Sequence, residues 1–192
     1  MNTTFDYIGS VVVGGMIVVI VLTLNSNIVT SSFQRNLDLL SQESAVNLTT
    51  ILETDFKRIG YFANTRPVML AERKAVRFTG DVNDDGWPDI VTYRLGDPTE
   101  LRQTKNPSDR PLYRRVDSDS LNVASGLVSF ALSYLDSAGR VLPYDSLRYP
   151  VFLDRIKMIQ IELRIEPTDP VDTTFIPVEI RRVITPKNIG GW

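Results

Sequence analysis

The sequence predicts an α+β fold, one long N-terminal helix followed by an antiparallel β-sheet. Three observations predict it. Residues 7–24 read YIGSVVVGGMIVVIVLTL without a charge. Apolar residues then step three or four apart as far as Ile59, and beyond Pro67 the apolar period falls to two.

The uncharged run comes first. Between residues 1 and 34 there is no Lys or Arg, and Asp6 is the only charge. At about 1.5 Å per residue a helix over 7–24 reaches about 27 Å, close to the hydrocarbon thickness of a bilayer. A buried core helix is the competing reading of such a run. A cleavable signal peptide fits less well, because no basic segment precedes the run and no small-residue cleavage site follows it. Gly9, Gly14 and Gly15 interrupt the large side chains and let helices approach one another closely in a membrane.

The helical pattern continues past Asn25 and Asn27. Phe33, Leu37, Leu40, Ser44, Leu48, Leu52, Phe56 and Ile59 form the predicted apolar stripe, with charged and amide residues between them. No proline occurs before Pro67, and Gly60, Asn64 and Pro67 supply the stop. One helix over about 5–60 would be about 80 Å long.

Strands are predicted over 74–79, 89–95, 111–116, 127–135, 156–165 and 175–184. The segment 111–116 reads as a polar edge strand, and Pro177 marks an edge or a bulge. In the fifth segment Ile159, Ile161, Leu163 and Ile165 share a face. The amphipathic half of the helix is the available cover for one side of this sheet. The apolar half has no such partner in the chain and needs lipid or other copies of the same helix.

Composition narrows the function. The chain has 192 residues, 21 basic and 23 acidic, with neither His nor Cys. The common zinc ligand sets, cysteine nucleophiles and Ser-His-Asp triads are therefore unavailable. The near balance of charge gives no reason to expect nucleic acid as a general partner. Asp136, Asp145 and Asp154 are acids without a spacing that selects a catalytic pair. The expectation is that the chain is not an enzyme.

Several segments, in order, resemble one family. LTTILETDFKRIGY (48–61) is similar to the end of the first helix in minor pilins of the PilW type. FTGDVNDDGWPDIVTY (78–93) is similar to their Asp-rich turn leading into a strand. VASGLVSFALSYLD (123–136) followed by Gly139, and VITPKNI (183–189), resemble later segments of the same family. The resemblance implies a type IV pilin or pseudopilin plan, a half-exposed helix on a small sheet. The N-terminus departs from it. Prepilins carry a basic leader ending in Gly and a Glu at mature position five, whereas here position five is Phe5 and the nearest acid is Asp6. Either residue 1 is a mature start, or export proceeds without prepilin processing.

Three motifs carry candidate chemistry. Asp81-Val-Asn83-Asp-Asp85-Gly-Trp87-Pro-Asp89 spaces oxygen ligands as a Ca²⁺ loop does, with Gly86 for the sharp turn and the Trp87 carbonyl as a fifth donor. Thr92 stands where an EF-hand has its bidentate Glu, so a hairpin-type Ca²⁺ loop is one reading. An Asx-turn loop with solvated acids is the other. Asp6 lies at the edge of the apolar run; the resemblance to pilins implies that it neutralises a neighbouring subunit's terminal amine, and the other reading is a carboxylate among lipid headgroups. Arg102, Lys105, Arg110, Arg114 and Arg115 form a basic stretch around Tyr113, diluted by Asp109 and two prolines. It reads as a solvated loop and edge strand before it reads as a nucleic-acid surface.

The expected function is that of a structural subunit of a type IV pilus or pseudopilus-like filament. Asp6, Gly9, Gly14, Gly15, Phe33 and Leu37 are the candidate assembly residues. The partners are other pilin subunits, of the same or another kind, and membrane lipid before assembly. Residues 1–30 form the membrane or filament-core half and 31–192 an extracytoplasmic head. The chain starts in the inner membrane and ends in a cell-surface filament. The alternative is a single-pass anchored module whose Ca²⁺-dependent head binds a partner.

Overall fold

The computed structural model describes residues 3–101, 104–169 and 175–189, with the backbone alone for residues 3–6. The chain forms two compact units, Met1–Leu39 and Leu40–Trp192.

A single helix, α1, runs Thr3–Lys57 and contributes to both units. It passes through Gly9, Gly14 and Gly15 without a break. Past Lys57 the chain turns, and Gly60 takes a positive φ of 81°. A Cβ there would collide with the backbone carbonyl of Asn188, so glycine answers both a conformational and a steric demand.

The second unit holds two antiparallel sheets where one was expected. The first has β1 (Val68–Ala71), β2 (Ala75–Gly80), β3 (Asp89–Leu95), β4 (Leu112–Val116) and β5 (Asp119–Asn122), paired in chain order. The second has β6 (Leu127–Leu135), β7 (Met158–Ile165) and β8 (Val178–Ile184), again in order. A short helix, α2, covers Pro150–Leu153. Among the described residues, two backbone hydrogen bonds tie segments flanking the first sheet to β6, from Arg110 N to the Leu127 carbonyl and from Leu132 N to that of Arg73. The segment 111–116 is not an edge. Its strand, β4, lies between β3 and β5, and the edge belongs to β5, which has no buried residue.

One core joins these layers. Ala45, Leu48, Leu52 and Phe56 of α1 enter it with Val76, Phe78, Val91 and Tyr93 from the first sheet and Phe130, Leu132, Ile161 and Leu163 from the second. Ile159, Ile161, Leu163 and Ile165 are all buried, as the alternation predicts. The Phe56 ring meets Phe78 and Tyr93 edge to face, at centroid distances of 5.7 and 5.6 Å. Such pairs add about 0.5–1.5 kcal/mol beyond burial.

The stripe on α1 differs from the expected one. Phe33 is 53% and Leu40 58% exposed, whereas Leu37, Ser41 and Ala45 are buried. At about 100° per residue, Leu40 lies a quarter-turn and more from the middle of the buried face. The helix turns small residues, Ser41 and Ala45, to the inside, which permits close approach and leaves the larger Leu40 outside.

Candidate functional site

The first candidate is the apolar half of α1. From Tyr7 to Val29, fifteen large apolar side chains are between 51% and 73% exposed. Among the described residues, α1 is the one helix long and apolar enough to cross a membrane, and none of its apolar window is buried in the protein. Full burial of one such side chain is worth about 1.5–3 kcal/mol, so the run as a whole carries on the order of tens of kcal/mol of unused transfer free energy. Gly9, Gly14 and Gly15 have open space beside them, and a Cβ at any of them would touch nothing. They make flat places on an exposed helix. Phe33 lies further along on the exposed side, and Leu37 is buried. The side chain of Asp6 lies outside the described residues.

The second candidate is the turn between β2 and β3. The pairing of Gly80 with Asp89 closes its base, and Asp84 and Gly86 adopt positive φ values of 63° and 86°. Asp81 and Asp89 are buried at the base, and Trp87 stands 76% exposed at the tip. Asp81 Oδ1 accepts the Asp84 amide at 2.7 Å and Oδ2 that of Gly86 at 2.9 Å. Asp89 Oδ2 accepts the Val82 amide at 3.0 Å, and Asp85 Oδ1 that of Trp87 at 2.8 Å. The Asp85–Trp87 bond is an Asx turn, and the longer-range bonds of Asp81 and Asp89 hold amides that the turn would otherwise leave unpaired.

The remaining oxygens of Asp85 and Asp89 converge on one atom. The Asn83 side-chain nitrogen lies 3.0 Å from Asp85 Oδ2 and 3.5 Å from Asp89 Oδ1. Burial pushes the Asp89 carboxyl up, and the like charges of Asp117, Asp85 and Asp81 add to the rise, against the Val82 amide. The donor types suit a hard cation. In this arrangement an amide NH₂ occupies the point of convergence, and among the described residues no group of three or more acidic side chains is disposed to hold a metal ion. Arg58, just past α1, binds Asp84 through two hydrogen bonds of 2.7 and 2.6 Å and donates to the Asp81 carbonyl. Its hydrogen bond holds the Asp84 carboxyl below the usual range.

A third arrangement was not foreseen. Asp55 of α1, only 4% exposed, sits between the sheet and the helix. Arg114 Nε lies 2.6 Å from Asp55 Oδ2 and its Nη2 3.1 Å from Oδ1, while the Tyr93 hydroxyl donates to Oδ2 at 2.6 Å. The Asp55 hydrogen bond raises the Arg114 guanidinium further, and burial followed by the Asp55 charge pushes the Tyr93 hydroxyl far above its ordinary value. Arg114 belongs to the basic stretch of the sequence, but it faces inward. A signal was present. Asp55 falls three residues after Leu52 and four before Ile59, on the buried face, where a charge needs a partner.

The other basic residues of that stretch are dispersed among described partners. Lys105 pairs with Asp169 at 2.8 Å, Arg110 donates to the Gly96 carbonyl and Arg115 to that of Asp117. Arg102 lies outside the described residues. The acids Asp136, Asp145 and Asp154 do not meet one another. Each faces an arginine, Arg140, Arg148 and Arg66 respectively. No protein-family model matches this chain, and no curated protein matches it.

Proposed function

We propose that this chain is a membrane-anchored filament subunit of the type IV pilin or pseudopilin kind, with its β-rich unit outside the inner membrane. One observation carries the reading: an unbroken helix whose apolar stretch from Tyr7 to Leu24 bears no charge and is exposed throughout. Lipid covers that half before assembly, and the same half of other subunits covers it afterwards. Packing in such a core comes from van der Waals contact between Val, Ile and Gly surfaces and not from chemistry. The resemblance of 48–61, 78–93, 123–136 and 183–189 to minor pilins supports the same reading. Electron microscopy of the full chain, expressed with a filament-assembly system, tests it. Helical filaments containing the chain are expected. Membrane-embedded protein with no cross-links between apolar half-helices would refute it.

A second reading, a single-pass anchored binding module with a Ca²⁺-stabilised turn, is favoured by one observation. Asp85 and Asp89 already aim at a common point, and the Asn83 amide fills it. Half a turn of that amide would present its oxygen there instead of its nitrogen, giving up the bond that oxygen accepts from the Asp85 amide at 3.0 Å. Binding to the folded state alone then stabilises by about 2.7 kcal/mol at a hundredfold excess over Kd. Under this reading a calcium chelator lowers the melting temperature of the full chain. An unchanged melt leaves the turn closed by its own amides and removes the reading.

A further inference from the structure

The first sheet has two faces with different chemistry. α1 packs on the inner one, through Phe56 and Asp55. On the outer one the register sets Arg77 of β2 opposite Thr92 of β3, and Thr92 opposite Arg115 of β4. Arg94, two residues beyond Thr92, lies diagonally between these two arginines. All three are exposed. With strands about 4.8 Å apart, the outer two cations stand on backbones about 10 Å apart. Three adjacent strands therefore bring together cations that are scattered in the sequence.

Each guanidinium is oriented without being neutralised. Arg77 Nε donates to the Thr92 hydroxyl at 3.2 Å, Arg115 Nε to the Asp117 carbonyl at 2.7 Å, and Arg94 lies over the Tyr113 ring at 5.0 Å. Among the described residues none of the three forms an ion pair with a carboxylate, although eleven ion pairs occur elsewhere. No strand position sharing this face carries an acid. The nearest acids are already engaged. Glu100, close enough to feel Arg94, accepts the Asp97 amide and the Tyr113 hydroxyl. Asp117 accepts the Ile90 amide.

From this we infer that the outer face of the five-stranded sheet, centred on Arg77, Arg94 and Arg115, binds an acidic polysaccharide through its carboxylates. Guanidinium forks match carboxylates in shape, and three of them spaced across strands suit an extended chain with repeated charges. The hydroxyls of Thr92, between Arg77 and Arg115, and of Ser120, beside Arg115 on the edge strand, suit a hydroxyl-rich ligand. A nucleic-acid strand fits less well. It would use an open aromatic face for stacking, and the Tyr113 ring is covered by Arg94 with its hydroxyl tied to Glu100. The part of α1 that enters the core packs on the opposite face of the sheet. The inference does not depend on the filament reading, since an anchored monomer would present the same face.

The test uses the full chain in detergent micelles, with polygalacturonate, neutral dextran and oligo-deoxythymidine immobilised in parallel. Retention on polygalacturonate alone is expected, falling as salt screens the exposed contacts. Arg77→Gln/Arg115→Gln should bind about tenfold more weakly, as two exposed charge contacts of modest strength would give. Arg148→Gln/Arg155→Gln, which removes the same charge elsewhere, should bind as the unaltered chain does. Unchanged melting temperatures and circular dichroism show that both variants fold. If Arg77→Gln/Arg115→Gln fails to fold, Arg77→Lys/Arg115→Lys replaces it, keeping charge but losing the forks, and weaker binding is again expected. No retention, equal loss in the charge-matched control, or retention on the oligonucleotide at least as strong as on polygalacturonate would overturn the inference.

Discussion

Asp55→Ala is the most informative single change, because it removes the acceptor shared by Arg114 and Tyr93. The Arg114 guanidinium would then face the core with no carboxylate, and the Tyr93 hydroxyl, fully buried, would lose its acceptor. Breaking a buried pair by deleting one partner costs about 3–5 kcal/mol. The Arg114 side chain keeps 20% of its exposure, so water can still reach part of it. That favours the lower end, about 3 kcal/mol. For a unit of this size 1 kcal/mol moves the melting temperature by about 2–4 °C, which gives a fall of roughly 6–12 °C. Tyr93→Phe, which removes one hydrogen bond to a charged group, should cost about 1.5–3 kcal/mol. The assay is thermal unfolding of the full chain in micelles, followed by near-ultraviolet circular dichroism. Asp55→Ala/Arg114→Met removes both charges and should lose less than the two single changes added together. An Asp55→Ala melt within about 2 °C of the unaltered chain, or strict additivity in the double variant, would refute the reasoning.

The remaining predictions test other parts of the molecule. Removing the residues before Asn25 should leave a soluble, folded monomer, since the residues of α1 that enter the core begin near Ala45; aggregation or loss of cooperative unfolding in analytical ultracentrifugation and melting would contradict it. Stability should fall as pH rises above about 10. Tyr93 has its hydroxyl pushed up in the folded protein, so its contribution is present below the ordinary tyrosine value and lost above it; denaturant midpoints from pH 8 to 11 measure this, and Tyr93→Phe should flatten the decline. In chelator, Asp89→Asn should hold or raise the melting temperature near neutral pH, because the folded state raises the Asp89 carboxyl and so disfavours its charge. A drop of several degrees there would mean that the charge itself is needed. Gly60→Val should lose about 2 kcal/mol or more, from the positive φ and the Asn188 carbonyl together, read as a lower urea midpoint.

The parts of the fold legible in the sequence were those with a strong period. The boundaries of β3 and β6 follow from alternation alone, and the end of α1 from Gly60 and Pro67. The strand β5, DSLN, could not be found that way, because all four residues are exposed and none shows a pattern. Its pairing comes from β4 through a tight turn in which Asp117 takes a φ of 50°. The division into two sheets was equally hidden, since strand periodicity says which residues face inward but not which strands pair. At the candidate sites, the acidic turn could be read as a turn, but the convergence on Asn83 depends on side-chain geometry. Asp55 was legible in principle, as a charge on an apolar stripe; its partners, distant in the chain, were not.

The close fit of Asn188 against Gly60 has a consequence for how the chain is made. The core around Phe56 and Ile59 includes Ile184 of β8, among the last strands to be synthesised. A nascent chain thus exposes its apolar helix long before the residues that close the core leave the ribosome. The half-built sheet, with β7 unpaired along one edge until β8 arrives, is the stage most open to misassociation or proteolysis. Slow translation near the 3′ end of the message would lengthen that exposure, whereas slow translation soon after α1 would give the helix time to enter the bilayer first.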